Sequence, residues 1–340
     1  MRKRFRGHVL DTVLFGSLFV GISYLLFKPN SQQLLELDKN VLVITVCLVL
    51  GAFLSIILDS LRIKTLGEVL FEAGHLKEAP ETLLRTFWGW QLIVCFLAFF
   101  VAGLRITEFS FYELFSEQGF LGAKRIFSSL IDPNFAILPR AILAIVETIF
   151  IAFVATILSV PVAFLLSFLA ARNIMGKSKL TMMIYGAVRT SFNITRSIEP
   201  LIWAIVFSVW VGIGPFAGML ALMLHSVASL AKLYSELIEC VEDGPIEGIQ
   251  STGADPLQII WFAVVPQVTL PVVAVTIYRW DINVRMATVI GLVGGGGIGT
   301  MLIQYQGQAL WREVGCLVIV IAIVVWLMDM ASAHIREAIK

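Results

Sequence analysis

Residues 268–290 read VTLPVVAVTIYRWDINVRMATVI. A bilayer is crossed by roughly 20 apolar residues in a helix, and this run is long enough. Yet it holds Arg279, Asp281, Asn283 and Arg285. A charge at the bilayer centre costs about 2.5–3.5 kcal/mol on insertion scales, so each of the three needs a reason to be there. At about 100° per residue, Arg279 and Asn283 share one face of the helix, and Asp281, Arg285 and Thr288 share nearly the opposite one. Asp281 and Arg285 stand i,i+4 and can pair, which cancels much of their cost; they read as a structural pair that locks helices together. Arg279 has no acid three or four residues away. It must meet Glu199, Glu147, an aqueous cavity or an anion. A guanidinium that faces a wet path attracts oxyanions and bonds them through two N–H groups, so Arg279 with Asn283 is the candidate path lining.

Runs of this kind recur along the chain. Of its 340 residues, 58% are apolar and 14% charged, and the mean hydropathy is +0.89. Soluble domains carry about 25% charged residues. The fold expected is an all-α polytopic membrane protein with about eight transmembrane helices, near 9–27, 41–58, 87–104, 141–170, 198–213, 216–235, 268–290 and 314–333. The fourth contains Pro161 and should tilt or kink. Residues 177–197 are mixed in polarity and read as a surface helix leading into the fifth span. Residues 105–139 read as an amphipathic, interfacial piece. The basic start RKRFR precedes an apolar run without a small-x-small cleavage site, so the first helix is expected to be retained. With both termini cytoplasmic, 15 Lys and Arg fall inside and 7 outside, which obeys the positive-inside bias.

Other chemistry is sparse. Cys47, Cys95 and Cys316 lie in apolar runs and Cys240 in a polar loop, so no disulfide framework is expected. His8, His75, His225 and His334 are scattered. No catalytic constellation and no metal-ligand set forms, which argues against a membrane-embedded enzyme. A net charge of +1 gives no reason to expect nucleic acid. Ala171-Arg-Asn-Ile-Met-Gly176-Lys177-Ser178 fits a loose P-loop pattern, but it follows a membrane span and lacks the α/β setting a P-loop needs. The glycine run Gly294, Gly295, Gly296, Gly297 and Gly299 lacks the closing Lys-Ser/Thr of a nucleotide loop. It permits either close backbone packing or a flexible outer gate. His225 and Lys232 lie seven apart on one face of the sixth span; His225 reads as an interior histidine or as a path residue. Arg196 and Glu199 stand i,i+3 and should pair with each other. Glu147, beside Thr148, reads as an interhelical hydrogen-bond partner.

One loop is acidic throughout. From Ser235 to Gln267 there is no Lys or Arg, but there are Glu236, Glu239, Glu242, Asp243, Glu247 and Asp255. Breaks at Asp243-Gly244-Pro245 and at Gly253-Ala254-Asp255-Pro256 predict two short helices, with Asp243 and Asp255 as capping candidates. With Ile246, Ile249, Leu257 and Trp261 it reads as a docking surface.

Within this loop Glu247-Gly248-Ile249, three residues, Gly253, and then Val265-Pro266 resembles the "EAA" loop of ABC-importer permeases. The family has alanine at 248 and 249, isoleucine at 263 and leucine at 265; the Glu, Gly and Pro spacing is kept. More specifically, GPFAGMLALMLHSVASLAKLYSELIE, GPIEGIQSTGA, VPQV and YRWDINVRMATVIGLVGGGGIG resemble the permease of phosphonate-uptake ABC transporters. PVAFLLSFLAARN and RSIEPLIWAIVF resemble its earlier segments.

The resemblance covers roughly 87–340 and leaves 1–86 as an extension of two transmembrane helices. It implies five helices forming a type I ABC importer (MetI-like) core, with cytoplasmic coupling loop 236–266. Glu247, Gly253, Ala254, Asp255 and Pro256 would couple to the ATPase. It also implies a second permease copy, two ATP-binding subunits that hold ATP and Mg, and a periplasmic substrate-binding protein. No cofactor would be bound by this chain. The setting is the bacterial cytoplasmic (inner) membrane. The implied cargo is a phosphonate or a related oxyanion, phosphite or phosphate; the alternative is another small solute such as an amino acid.

Overall fold

The structure is a computed structural model that describes residues 2–27, 37–61, 63–71, 86–176 and 178–339. Arg62, Lys77, Arg85 and Lys177, which entered the charge bias, lie outside the described residues, as do Lys28 and Lys340. The described residues form helices and no strand, as expected of an all-α membrane protein. Among the described residues, seven helices are individually long and apolar enough to cross a membrane. The chain divides into two compact units, Met1–Phe120 and Leu121–Lys340.

The first unit holds α1 (Arg2–Phe27), α2 (Leu37–Ser60), α3 (Leu66–Phe71), α4 (Phe87–Ile106), α5 (Phe111–Phe115) and the start of α6 (Glu117–Ile131). Glycine lets α1 and α2 touch: a Cβ at Gly51 would lie 2.5 Å from the Gly16 nitrogen. Asp11 on α1 is only 1% exposed. Its carboxylate accepts from the Thr65 hydroxyl at 2.6 Å, the Gly67 N–H at 3.0 Å and the Gln91 amide at 3.0 Å. Gln91 in turn accepts from the Leu66 N–H at 3.0 Å. A buried anion is thus satisfied by donors at the start of α3 and on α4. The helix that opens at Phe87 therefore packs with α1 and α3, on the near side of the contact division at 120.

The second unit is built on α7 (Leu138–Leu169) and α11 (Pro215–Glu239), with α14 (Val265–Gly291), α15 (Gly297–Gly307) and α16 (Trp311–Ile339) packed around them. At 32 residues α7 is about 48 Å long, more than the ~30 Å hydrocarbon core, and it stays one helix through Pro161. Most of its buried residues are small: Ala152, Ala155 and Ala163 share packed clusters with Ala221, Ala228 and Ala231 of α11. Small residues let helix backbones approach where lipid offers no hydrophobic drive to pack. Hydroxyls in this seam bond to their own helix; Thr156 donates to the Ala152 carbonyl at 2.7 Å and Ser159 to Thr156 at 2.7 Å. α6 buries no residue and exposes Phe127 and Ile131, and the loop after it is pinned by Asp132 to Arg312 at 2.9 Å.

The fifth expected span is corrected. Residues 198–213 do not form a crossing by themselves. α9 (Lys179–Ser197) and α10 (Pro200–Val211) meet at an 89° bend, and α10 has 12 residues, about 18 Å. Only the bent pair taken together qualifies as an eighth span. Extended backbone at Ile198 and Glu199, followed by Pro200 in the first turn of α10, makes the corner.

Asp11→Ala would strand the Thr65, Gly67 and Gln91 donors, a cost of about 2–3 kcal/mol. The expected results are a lower unfolding midpoint in detergent and faster amide exchange at Leu66 and Gly67. An unchanged midpoint would mean that Asp11 does not hold the first unit together.

Candidate functional site

The acidic loop folds as two short helices, as its breaks predict. α12 is Asp243–Gln250 and α13 is Pro256–Ile259, and a π-helical turn at Ile260–Val264 leads into α14. Asp255 caps α13 in a reciprocal box with Gln258, whose side chain accepts from the Asp255 N–H at 2.9 Å. Asp243 does not cap: it is the first residue of α12, and Glu242 precedes it without a side-chain bond. Gly253 sits at φ +80°, a left-handed position that suits glycine in the turn between the helices. Ala254 is half-buried; Glu247, Asp255 and Pro256 are exposed. Leu257 is 79% and Trp261 64% exposed, so the outer face is acidic, apolar and uncovered in this chain.

The base of this unit is tied down. The Glu242 N–H donates to Gln267 on α14 at 3.0 Å. At the end of α11, Glu239 accepts from Arg189 of α9 at 2.9 Å. It also accepts from the backbone N–H of Arg172, at 2.8 Å, where α8 (Arg172–Met175) begins. Arg189 also donates to the Tyr185 hydroxyl at 2.7 Å. The opposite charges of α9 and the acidic loop were visible in the sequence, but the partners, fifty positions apart, were not.

The second site is a polar cluster where α7, α11 and α14 meet. Arg279, near the middle of α14, is 8% exposed. Its Nε donates to the Ser226 hydroxyl at 3.2 Å and its Nη2 to the Nδ1 of His225. Asn283 is fully buried and donates to Thr156 at 2.9 Å and to Ser226 at 2.8 Å. So Arg279, Asn283 and His225 come together, but Asn283 spends its amide on neighbouring helices. Thr156 and Ser226 were missed, because lone hydroxyls in apolar runs read as packing. Glu147 and Glu199 are exposed, and neither joins an ion pair among the described residues. The expected Arg196–Glu199 pair is absent, since the bend between α9 and α10 breaks the helical i,i+3 spacing.

On the other face of α14, Asp281 is 4% exposed and Arg285 donates to it at 2.8 Å. The same guanidinium donates to Asp329 of α16 at 2.9 Å, a partner the sequence reading lacked. The glycine run is closely packed. A Cβ at Gly299 would lie 2.0 Å from the Thr288 carbonyl oxygen, and one at Gly218 would lie 2.6 Å from the Gly295 carbonyl oxygen. The Ile298 N–H donates to Thr148 at 2.9 Å, and Gly294, Gly296 and Gly297 adopt positive φ.

Residues 163–339, about half of the chain, match the family described as binding-protein-dependent transport system inner membrane component. The chain belongs to this family. It is the permease component of an ABC transporter, a multi-pass membrane protein and not an enzyme; ATP hydrolysis belongs to a separate subunit. It is 36% identical over 208 residues to the phosphite transport system permease protein PtxC of Stutzerimonas stutzeri, covering 61% of this chain and 74% of that protein. It is 33% identical over 213 residues to the phosphate-import permease protein PhnE of Mycolicibacterium smegmatis, covering 62% of this chain and 39% of that one. The fold also matches an inward-facing form of the MetNI methionine ABC transporter with TM-score 0.55 at 22% identity, over 61% of this chain and 99% of that chain.

Arg285→Gln is expected to lower the detergent melting temperature, because it removes the guanidinium that donates to both the buried Asp281 and Asp329. The double variant with Asp281→Asn should recover most of the loss. No recovery would mean that the Asp281–Arg285 contact is not what stabilises α14.

Proposed function

We propose that this permease imports a small oxyanion of the phosphonate class: a phosphonate, phosphite or phosphate. The observation that supports this best is chemical agreement between two independent features. The relatives carry the names of phosphite and phosphate permeases, and the centre of α14 holds a buried guanidinium with no carboxylate partner among the described residues. The alternative cargo, an amino acid, has less behind it: a relative named as a probable D-methionine permease is 35% identical over only 121 residues, and MetNI shares the fold at 22% identity.

In this reading the chain sits in a bacterial cytoplasmic membrane with both termini inside. Two copies pair around a two-fold axis, because five core helices cannot enclose a path alone. Two ATP-binding subunits dock from the cytoplasm, and a periplasmic binding protein delivers the anion. The 236–266 unit is the coupling element. Glu247 and the turn Gly253-Ala254-Asp255-Pro256 enter a groove with complementary basic residues, and Leu257 and Trp261 supply apolar contact. Arg279 and His225 line the path, and Asn283 braces its wall. Gly294, Gly295, Gly296, Gly297 and Gly299 form a packing joint that a gate would have to move as a body. The extension 1–86 stays outside the path.

Glu247→Lys should weaken copurification of the ATPase and cut uptake of labelled phosphite, phosphate and methylphosphonate in proteoliposomes at least about tenfold, on the scale of a lost charge-assisted contact. Normal assembly and transport by this variant would sink the coupling assignment. Uptake of methionine but of none of the three oxyanions by the unaltered complex would sink the substrate assignment.

A further inference from the structure

Charged side chains inside a membrane protein face the bundle interior or a wet cavity, because lipid does not solvate them. Arg285 and Asp329 are half open in the single chain. The Arg285 guanidinium donates to Asp329 at 2.9 Å and to the buried Asp281 at 2.8 Å, yet the Arg285 side chain is 42% exposed and that of Asp329 46%. Neither lies at a helix end that would bring it to water. Asp329 comes eighteen residues after Trp311, about 27 Å along α16. Arg285 comes six residues before Gly291, about 9 Å from an end of α14 that is itself packed on α15 beside the body of α7. At this depth the open half of the pair needs a cover other than lipid.

The surroundings say what kind of cover. The surface beside the pair is apolar: Val289 on α14 and Ile323, Trp326 and Met330 on α16 are all exposed. A polar pair inside an apolar rim suits a dry contact with protein better than a water-filled path. Two small residues flank the acid. Ala322 and Ala333, seven residues before Asp329 and four after it, share its face of α16 and are exposed. Small residues at such positions let a second helix approach closely.

The charges suit one partner in particular. One guanidinium serves two carboxylates, Asp281 and Asp329, and the next cation is Arg336, two turns further along α16 and 5.3 Å over the Tyr278 ring. Cation, acid and cation follow one another along the strip, so it complements itself. A two-fold pair brings one patch against its own copy. With the axis along the membrane normal, like positions meet at like depth. Arg285 and Asp329 share a depth, as their bond requires, so the partner's Asp329 comes to the level of Arg285.

We infer that the α14–α16 face centred on Arg285 and Asp329 is the contact between two copies of this permease inside the membrane, where the ion pair of each copy covers that of the other. This rests on the two-copy reading above and adds to it the surface that makes the pair.

The test uses the complete transporter in proteoliposomes, with two differently tagged copies that carry Cys240→Ser, which removes the exposed cysteine among the described residues. Capture on one tag should bring down the other. Ala322→Cys and Ala333→Cys should each be joined between tags by a short bis-maleimide, while Leu165→Cys, exposed on α7, should not. Ala333→Trp should lower co-capture about tenfold, because it overpacks the contact. A lipid-facing alanine would accept the indole, so unchanged co-capture overturns the inference. Co-capture with cross-links at Leu165→Cys and at neither α16 position would leave two copies standing and overturn this face. Rapid labelling of Ala322→Cys by a membrane-impermeant maleimide would mean that water covers the strip, and overturns it as well. No co-capture from the unaltered transporter would overturn the two-copy reading, and this inference with it.

Discussion

A single amide joins the three helices at the centre of the permease unit. Asn283 on α14 reaches Thr156 on α7 and Ser226 on α11. Polar groups at this depth have no water to satisfy them, so each must find a partner or cost several kcal/mol. The small-residue seam between α7 and α11 brings the helices close enough for that bond to form. The same hydroxyl of Ser226 then receives Arg279, so the position of the guanidinium depends on the joint that holds the helices together.

The glycine segment obeys the same constraint by other means. α14 ends at Gly291 and α15 starts at Gly297 against Thr148. Thr148 lies ten residues into α7, about 15 Å along it, so the turn is not at a helix end but beside the body of a long helix. Glycine removes the side chains that would keep Gly291 and Gly299 apart, and the Thr300 hydroxyl donates to the Gly291 carbonyl at 3.0 Å. Irregular backbone at this depth survives because protein groups supply the bonds that lipid cannot.

Much of this was legible in the sequence because it is written in periodicity or local chemistry. The long spans follow from apolar length. The two short helices of the acidic loop follow from Pro, Gly and Asp at its breaks. The shared face of Arg279 and Asn283 and the i,i+4 contact of Asp281 with Arg285 follow from the helical repeat. What was not legible depends on distance in sequence or on a turn in direction. Gln91 meets Asp11 across 80 positions, and Asp329 meets Arg285 across 44; no window of sequence contains either pair. The Arg196–Glu199 expectation failed because i,i+3 spacing holds only if one helix continues, and Ile198 and Glu199 are extended. The shortness of the helix in the fifth expected span, twelve residues after a right-angle bend from α9, was not legible either, since hydropathy counts apolar residues and does not register a turn.

The acidic two-helix unit and the polar cluster are connected by α11 and α14, and α9 is fastened at the base of the unit. α9 carries Arg189 at the base of the unit and Arg196 seven residues on, about 10 Å along the helix. α11 carries His225 and, fourteen residues later and about 21 Å away, Glu239. α14 carries Gln267 and, twelve residues later and about 18 Å away, Arg279. At the base, these helices are fastened by Arg189–Glu239 at 2.9 Å and by the bond from the Glu242 N–H to Gln267 at 3.0 Å. At the cluster, α11 and α14 are fastened by His225, Ser226, Arg279 and Asn283. An α-helix between two such anchors is stiff over these lengths. A displacement of the acidic unit that is carried by whole helices therefore cannot leave the surroundings of Arg279 unchanged. The acidic unit and the polar cluster are thus tied to the same helices, and at the cluster a neutral hydrogen-bonded joint holds Arg279.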